Sequence, residues 1–189
     1  MKKSILLIIL IFGLLTSVVN QVKAITNEET RPLEEVYPEI GYKTIEESVQ
    51  EFEQYFNKEL KLPLRVPPLN FTHQFGRFTK TVGDKNGALN MEFINEESPE
   101  LHYTIDVRPV VHKIRIKDEH IIKLYNLKNG NKATYMDVSE SVKVFVFERD
   151  NWQYMLWVDH RVSDIVTPEL FVKIADSIDF PNEKEDPLE

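Results

Sequence analysis

The chain of 189 residues contains no cysteine. That absence excludes disulfides, thiolate metal sites, iron–sulfur clusters and a thiol nucleophile, and with them the acylated cysteine of a lipoprotein anchor. Glycine is scarce at six residues and nowhere forms a phosphate-cradling loop; neither Gly-x-Ser-x-Gly nor Ser-x-x-Lys occurs. Positive charge is in deficit, 23 Lys+Arg against 31 Asp+Glu, so no nucleic-acid partner is expected, because neutralising phosphates takes a basic excess. Five histidines are present, none in His-x-x-x-His or Glu-x-x-His spacing, and neither a metal site nor a cofactor is expected.

Long apolar runs are also missing: none reaches the roughly 20 residues that span a bilayer. The longest, Ile5 to Leu15, follows Lys2 and Lys3 and leads into Val22-Lys23-Ala24. This pattern predicts a secretory signal peptide over residues 1–24, cleaved between Ala24 and Ile25, and hence a secreted protein. The alternative is a leader retained as an N-terminal anchor.

Acidity is unevenly placed. Residues 25–59 carry ten acids and three bases, residues 179–189 five acids and one base, and residues 60–178 sixteen of each. A flexible acidic arm is expected over 25–42, a single domain over 43–180 and a disordered acidic tail over 181–189. Within the domain, Thr44 precedes Glu47 by three residues, and Ile45, Val49, Phe52, Phe56 and Leu60 recur at helical spacing. They predict a capped amphipathic helix over 44–60, stopped by Pro63.

After Pro67 and Pro68 the period changes to two. Strands are expected near 72–82, with Gly76 a bulge or close approach, and over 89–93, 101–107, 112–117, 120–125, 132–138, 142–149 and 152–160. Hairpin turns are expected at Asn86-Gly87, Asn129-Gly130 and Asp150-Asn151. The strand over 112–117 would present Lys113, Arg115 and Lys117 as a basic ribbon. The last two strands are apolar on both faces, which predicts central strands covered by helices on one side and by something else on the other. Thr167-Pro168-Glu169 starts a closing helix of about 12 residues, ended by Phe180-Pro181. The fold class is therefore α+β: an N-terminal helix, a curved antiparallel sheet of about 7–8 meandering strands, and a C-terminal helix packed on the sheet.

Several phrases carry a resemblance covering about 43–180: Leu62-Pro63 with Pro67, Asn129-Gly130 followed by Ala133 and Tyr135, the aromatic strand Trp152 to Trp157, and Ile174-Ala175-Asp176-Ser177-Ile178. In these the chain resembles a family of exported Gram-positive domains of unknown function, found in lipoproteins and in extracellular parts of anti-sigma and sporulation proteins. That family is similar in architecture to the lipoprotein-carrier fold, a curved sheet wrapped on a helix. The resemblance implies fold and brings no catalytic residue.

Two surfaces are candidates for function. A sheet cradle of Phe145, Phe147, Met155 and Trp157 would suit an apolar ligand, and Lys113, Arg115 and Lys117 would suit an anionic envelope polymer. The expected function is a non-enzymatic secreted binding or accessory domain, engaging an apolar ligand, a cell-envelope component or an exported protein. The alternative is a secreted metal-dependent or acid–base hydrolase using His102, Asp106, His120 or His160.

Overall fold

The computed structural model describes residues 31–81, 86–139 and 141–178. The leader, the Ala24–Ile25 junction, the start of the arm and the tail lie outside them. The chain divides into two units, Met1–Glu35 and Val36–Glu189, and the second holds all the strands found among the described residues. Among the described residues no helix is long and apolar enough to cross a membrane.

Seven antiparallel strands form one sheet: β1 (His73–Thr81), β2 (Asn86–Ile94), β3 (His102–Pro109), β4 (Ile121–Asn126), β5 (Lys132–Ser139), β6 (Val142–Arg149) and β7 (Trp152–Asp159). Their spatial order is β1-β2-β3-β7-β6-β5-β4, so β6 and β7 are central, as their two-sided apolar sequences predict. The order is not a plain meander. β3 already has β2 and β7 as neighbours, and the chain must travel from the middle of the sheet to its far edge before β4 can begin.

That journey is made by residues 110–120, expected as a strand over 112–117. No strand forms there: two short 3-10 turns, Val110–His112 and Asp118–His120, flank an unpaired run. Of the two isoleucines that alternate with lysines and arginine, Ile116 faces protein, packing against Met136, Val144, Val146 and Met155, whereas the Ile114 side chain is 41% exposed. Alternation carries no information on whether the backbone finds a ladder partner. Here the Gln153 side chain takes that role, its Oε1 accepting from Ile114 N–H at 2.8 Å and its Nε2 donating to Ile114 C=O at 3.0 Å. Gln153 is only 2% exposed, so both ends of its amide are satisfied inside the protein.

The crossing run covers one face of the sheet, called here the open face. The opposite, helical face carries α2 (Ile45–Phe56), the extended segment 57–72 and α3 (Pro168–Asp176). Thr44 and Glu47 form the reciprocal cap foreseen for α2, but the helix stops at Phe56 with Asn57 left-handed at φ 50°. Leu60 is buried beyond the helix, where Glu53 Oε1 accepts from its N–H at 2.7 Å. α3 is likewise shorter than expected, nine residues capped by Thr167. Phe52 meets Phe78 and Trp152 at ring separations of 5.4 and 4.8 Å, and Phe171 of α3 stacks on Phe145 at 5.5 Å.

Two turns and the arm differ from expectation. Asn86 and Gly87 pair with Thr81 and Lys80 inside the β1–β2 ladder, so the connection is residues 82–85, outside the described set. Asp150 and Asn151, at φ 50° and 66°, do form the two-residue hairpin. Within the supposed arm, α1 (Leu33–Glu39) is helical, Tyr37 stacks on Phe75 at 4.3 Å, and Tyr42 is buried beneath the Arg77 guanidinium, 4.4 Å from its ring centroid. Two tyrosines supply the burial that a segment poor in aliphatic residues was not expected to have. Lys43 then bridges to Gly76 at the β1 edge, and the chain passes from the open face to the helical face.

Gly76 is the close approach its position suggested. A Cβ there would lie 2.7 Å from Ser48 Oγ and 2.9 Å from Ile45 Cα. Gly76→Ala is expected to lower stability by about 1–3 kcal/mol, as overpacking does, and urea unfolding would measure it. Gln153→Leu leaves both Ile114 groups without their partner; a loss of about 2 kcal/mol with faster proteolytic cleavage within 110–120 is expected. Unchanged cleavage would show that the crossing run is held by something else.

Candidate functional site

The open face is polar over β2 and β3 and apolar over β6 and β7. The register aligns Asn90, Asp106 and Met155 in one row and Glu92, Thr104 and Trp157 in the next. Where these rows meet, a cavity of about 380 Å³ is lined by Asn90, Glu92, Pro99, His102, Thr104, Asp106, Val142, Trp157, Val158 and Asp159. It forms a cup with an aromatic and aliphatic floor and an oxygen-rich wall, set on strands rather than loops.

Its polar groups form a continuous network. His102 Nε2 meets Glu92 Oε2, to which Thr104 Oγ1 also donates at 2.9 Å. Asn90 Nδ2 donates to Asp106 Oδ1 at 3.0 Å. Tyr42 supports the wall from behind, its hydroxyl donating to Asn90 Oδ1 at 2.6 Å and to Glu92 Oε1 at 3.3 Å. At the rim, Asp159 accepts from Arg161 Nε at 2.9 Å and Nη2 at 2.7 Å.

The three carboxyls behave differently. Burial opposes ionisation of Glu92, but hydrogen bonds from His102, Thr104 and Asn90 together with the His102 charge outweigh it and hold the carboxyl below its usual range. Arg161, chiefly through its side-chain hydrogen bonds, pulls Asp159 down to about 2. Asp106 goes the other way. Its burial dominates and raises it, with Glu92 adding to the rise, against the downward pull of Asn90, Arg108 and the Trp157 indole. The Trp157 N–H is itself buried and outside hydrogen-bond geometry with any group, so it acts on Asp106 without closing a bond.

The predicted cradle does not assemble. Phe145 and Phe147 pair with Leu156 and Tyr154, whereas Met155 and Trp157 pair with Val146 and Val144, which puts the two halves on opposite faces. Phe145 and Phe147 are sealed under α3 and beside Tyr154; Met155 is buried among the residues beneath Ile116. Trp157 reaches the cup, and Phe147 lines only a separate cavity, with Val146, Glu148 and Gln153. The basic ribbon fails with its strand: Lys113 pairs with Glu148 at 2.6 Å and Lys117 with Glu119 at 3.5 Å, and Arg115 stands exposed between them.

Of the acid–base candidates, His102 and Asp106 share the cup. His160 sits in the turn just beyond Asp159, 3.5 Å from its carboxylate, and His120 lies by Glu119 at the start of β4, on the far edge of the sheet. Among the described residues no group of three or more His, Asp or Glu is placed to hold a metal ion. Sequence reasoning missed the contribution of Glu92 and Tyr42. Glu92 was visible as a polar position on an alternating strand; the register that sets it against His102 was not. No protein-family model matches this chain, and neither a curated protein nor a solved structure does.

Opposite pH effects follow for the two wall carboxylates. Glu92, lowered in the folded state, contributes stability above the usual value of 4.5 that is lost as the pH falls through its folded value. Glu92→Gln should therefore be less stable than the parent at pH 7, with the gap closing in acid. Asp106, raised in the folded state, opposes folding when ionised, so Asp106→Asn should be more stable at pH 7, with the gain vanishing below the usual 3.8. Urea midpoints across pH 3 to 7 read both, and a destabilised Asp106→Asn at pH 7 would contradict the assignment.

Proposed function

We propose that the protein is an exported, non-enzymatic binding or accessory domain that engages a cell-envelope component at the open-face cup. The observation that carries this reading is Asp106: a carboxylate held on a central strand, beside an aromatic floor, where burial disfavours its charge. A group kept against stability at the wall of a cavity is what a binding site demands. Export is supported by the leader pattern, and the resemblance to exported Gram-positive domains points the same way.

The wall favours a ligand rich in donors. Glu92, Asp106, Asp159, Asn90 and Thr104 all present oxygens, and no Lys or Arg lines the cup. With the Trp157 ring as a platform, hydroxyls and an amine on a compact apolar body fit best, as in an amino sugar. The hydrolase reading is weaker, because a proton relay uses both imidazole nitrogens, one towards the carboxylate and one towards the nucleophile. Glu92 and Thr104 instead both meet Nε2 of His102.

The test combines two measurements on protein recovered from the medium. Intact mass should correspond to a chain starting at Ile25. Titration with glucosamine and with N-acetylglucosamine oligomers should shift the Trp157 indole resonance, and Asp106→Asn should weaken binding about tenfold, the loss of one charge-assisted contact of roughly 1.4 kcal/mol. If neither sugar moves Trp157 and native mass spectrometry shows no adduct that Trp157→Ala removes, the reading fails.

A further inference from the structure

Another cavity, of about 400 Å³, lies at the opposite end of the β3–β7 pair, beyond the last turn of α2, lined by Phe56, Lys58, Pro109, Val110, Val111, Asn151 and Trp152. Its chemistry is the inverse of the cup. Five of its seven residues are apolar, Val111 stands 84% exposed at the rim, and the single charged residue is a lysine, in a chain where acids outnumber bases. Trp152, the floor, is 3% exposed, and its indole N–H is buried without a hydrogen-bond partner. Lys58 lies over that ring, its ammonium 5.2 Å from the centroid, and donates to the Asp150 carbonyl.

We infer that this cavity binds a small monocarboxylate with an apolar body. The body packs on Phe56, Val110, Val111 and the Trp152 ring; the carboxylate draws Lys58 off the Asp150 carbonyl into a charge-assisted pair. The carboxylate takes Lys58, and the Trp152 ring stays beneath the apolar body. An uncharged amide of the same size gains the packing but not the ion pair, and an amine meets Lys58 as a like charge. This site does not depend on the cup reading, since the two cavities share no residue.

Octanoate, octanamide and octylamine, titrated into the full chain and followed by calorimetry and by the indole N–H resonances, separate these contributions. Octanoate should bind at least about tenfold more tightly than octanamide, the difference of one charge-assisted contact, octylamine should not bind, and the Trp152 indole proton should move while that of Trp157 does not. Lys58→Met, at an exposed position that leaves the core intact, should bring octanoate down to the octanamide value. Octanoate binding no better than octanamide, binding indifferent to Lys58→Met, or an unmoved Trp152 proton would each overturn the inference. The Trp157 signal and the sugar titration report on the cup independently.

Discussion

The pairing of β3 with β7 is the constraint on which the rest of the structure depends. It joins Tyr103–Pro109 to Trp152–Val158, segments some fifty residues apart, and welds a three-stranded N-terminal meander to a four-stranded C-terminal one. Once β3 is flanked on both sides, its continuation cannot stay in the sheet. The chain crosses the face of β7, β6 and β5 to reach the far edge where β4 lies, and that crossing gives the open face its partial cover. Non-local pairing of this kind carries a loop-closure cost in folding, which the fully buried rows of β3, β7 and β6 offset by apolar burial on the helical face.

The two faces then acquire different chemistry for a physical reason. The helical face is covered along its length by α2, segment 57–72 and α3, so it is filled by large aromatics in mutual contact, and its charged groups, the Lys143–Asp137 pair and the buried Asp176, are held by partners. The open face is covered only at its ends, by Tyr37 and Tyr42 over β1 and β2 and by the crossing run over β6 and β7. Between these covers the β2–β3–β7 rows are reachable by water, and ionisable groups can persist there with partners. Glu92, His102 and Asp106 occupy that interval, and the apolar floor beside them is the exposed margin of the cluster that Ile116 otherwise closes.

Much of this was legible from periodicity and caps. Thr44 with Glu47, the Asp150-Asn151 hairpin, the Thr167-Pro168 start and the central placement of β6 and β7 all express local rules, which a sequence displays directly. Long-range register is not displayed. Phe145 and Trp157 both look like candidates for one surface when each strand is read alone; only the pairing of Phe145 with Leu156 reveals that they face opposite ways. The crossing run misled for the complementary reason, because Ile116 must face protein in a strand and in a crossing alike. What distinguishes the two is the Gln153 amide, a polar residue in an apolar strand whose role was invisible until Ile114 was placed against it.

Gln153 also explains why the cup and the cover belong to one design. A crossing run held by apolar contacts alone would slide, since Ile116 could pack anywhere along the strip of Val144, Val146 and Met155. The two bonds from the Gln153 amide to the backbone of Ile114 fix the run at one register, because an amide satisfied at both ends loses a full hydrogen bond on any displacement. The run therefore stops short of Trp157 at a defined place. A single buried polar side chain, unfavourable in an apolar strand taken by itself, sets where the cover ends and so keeps the aromatic floor of the cup from being sealed like the phenylalanines on the opposite face.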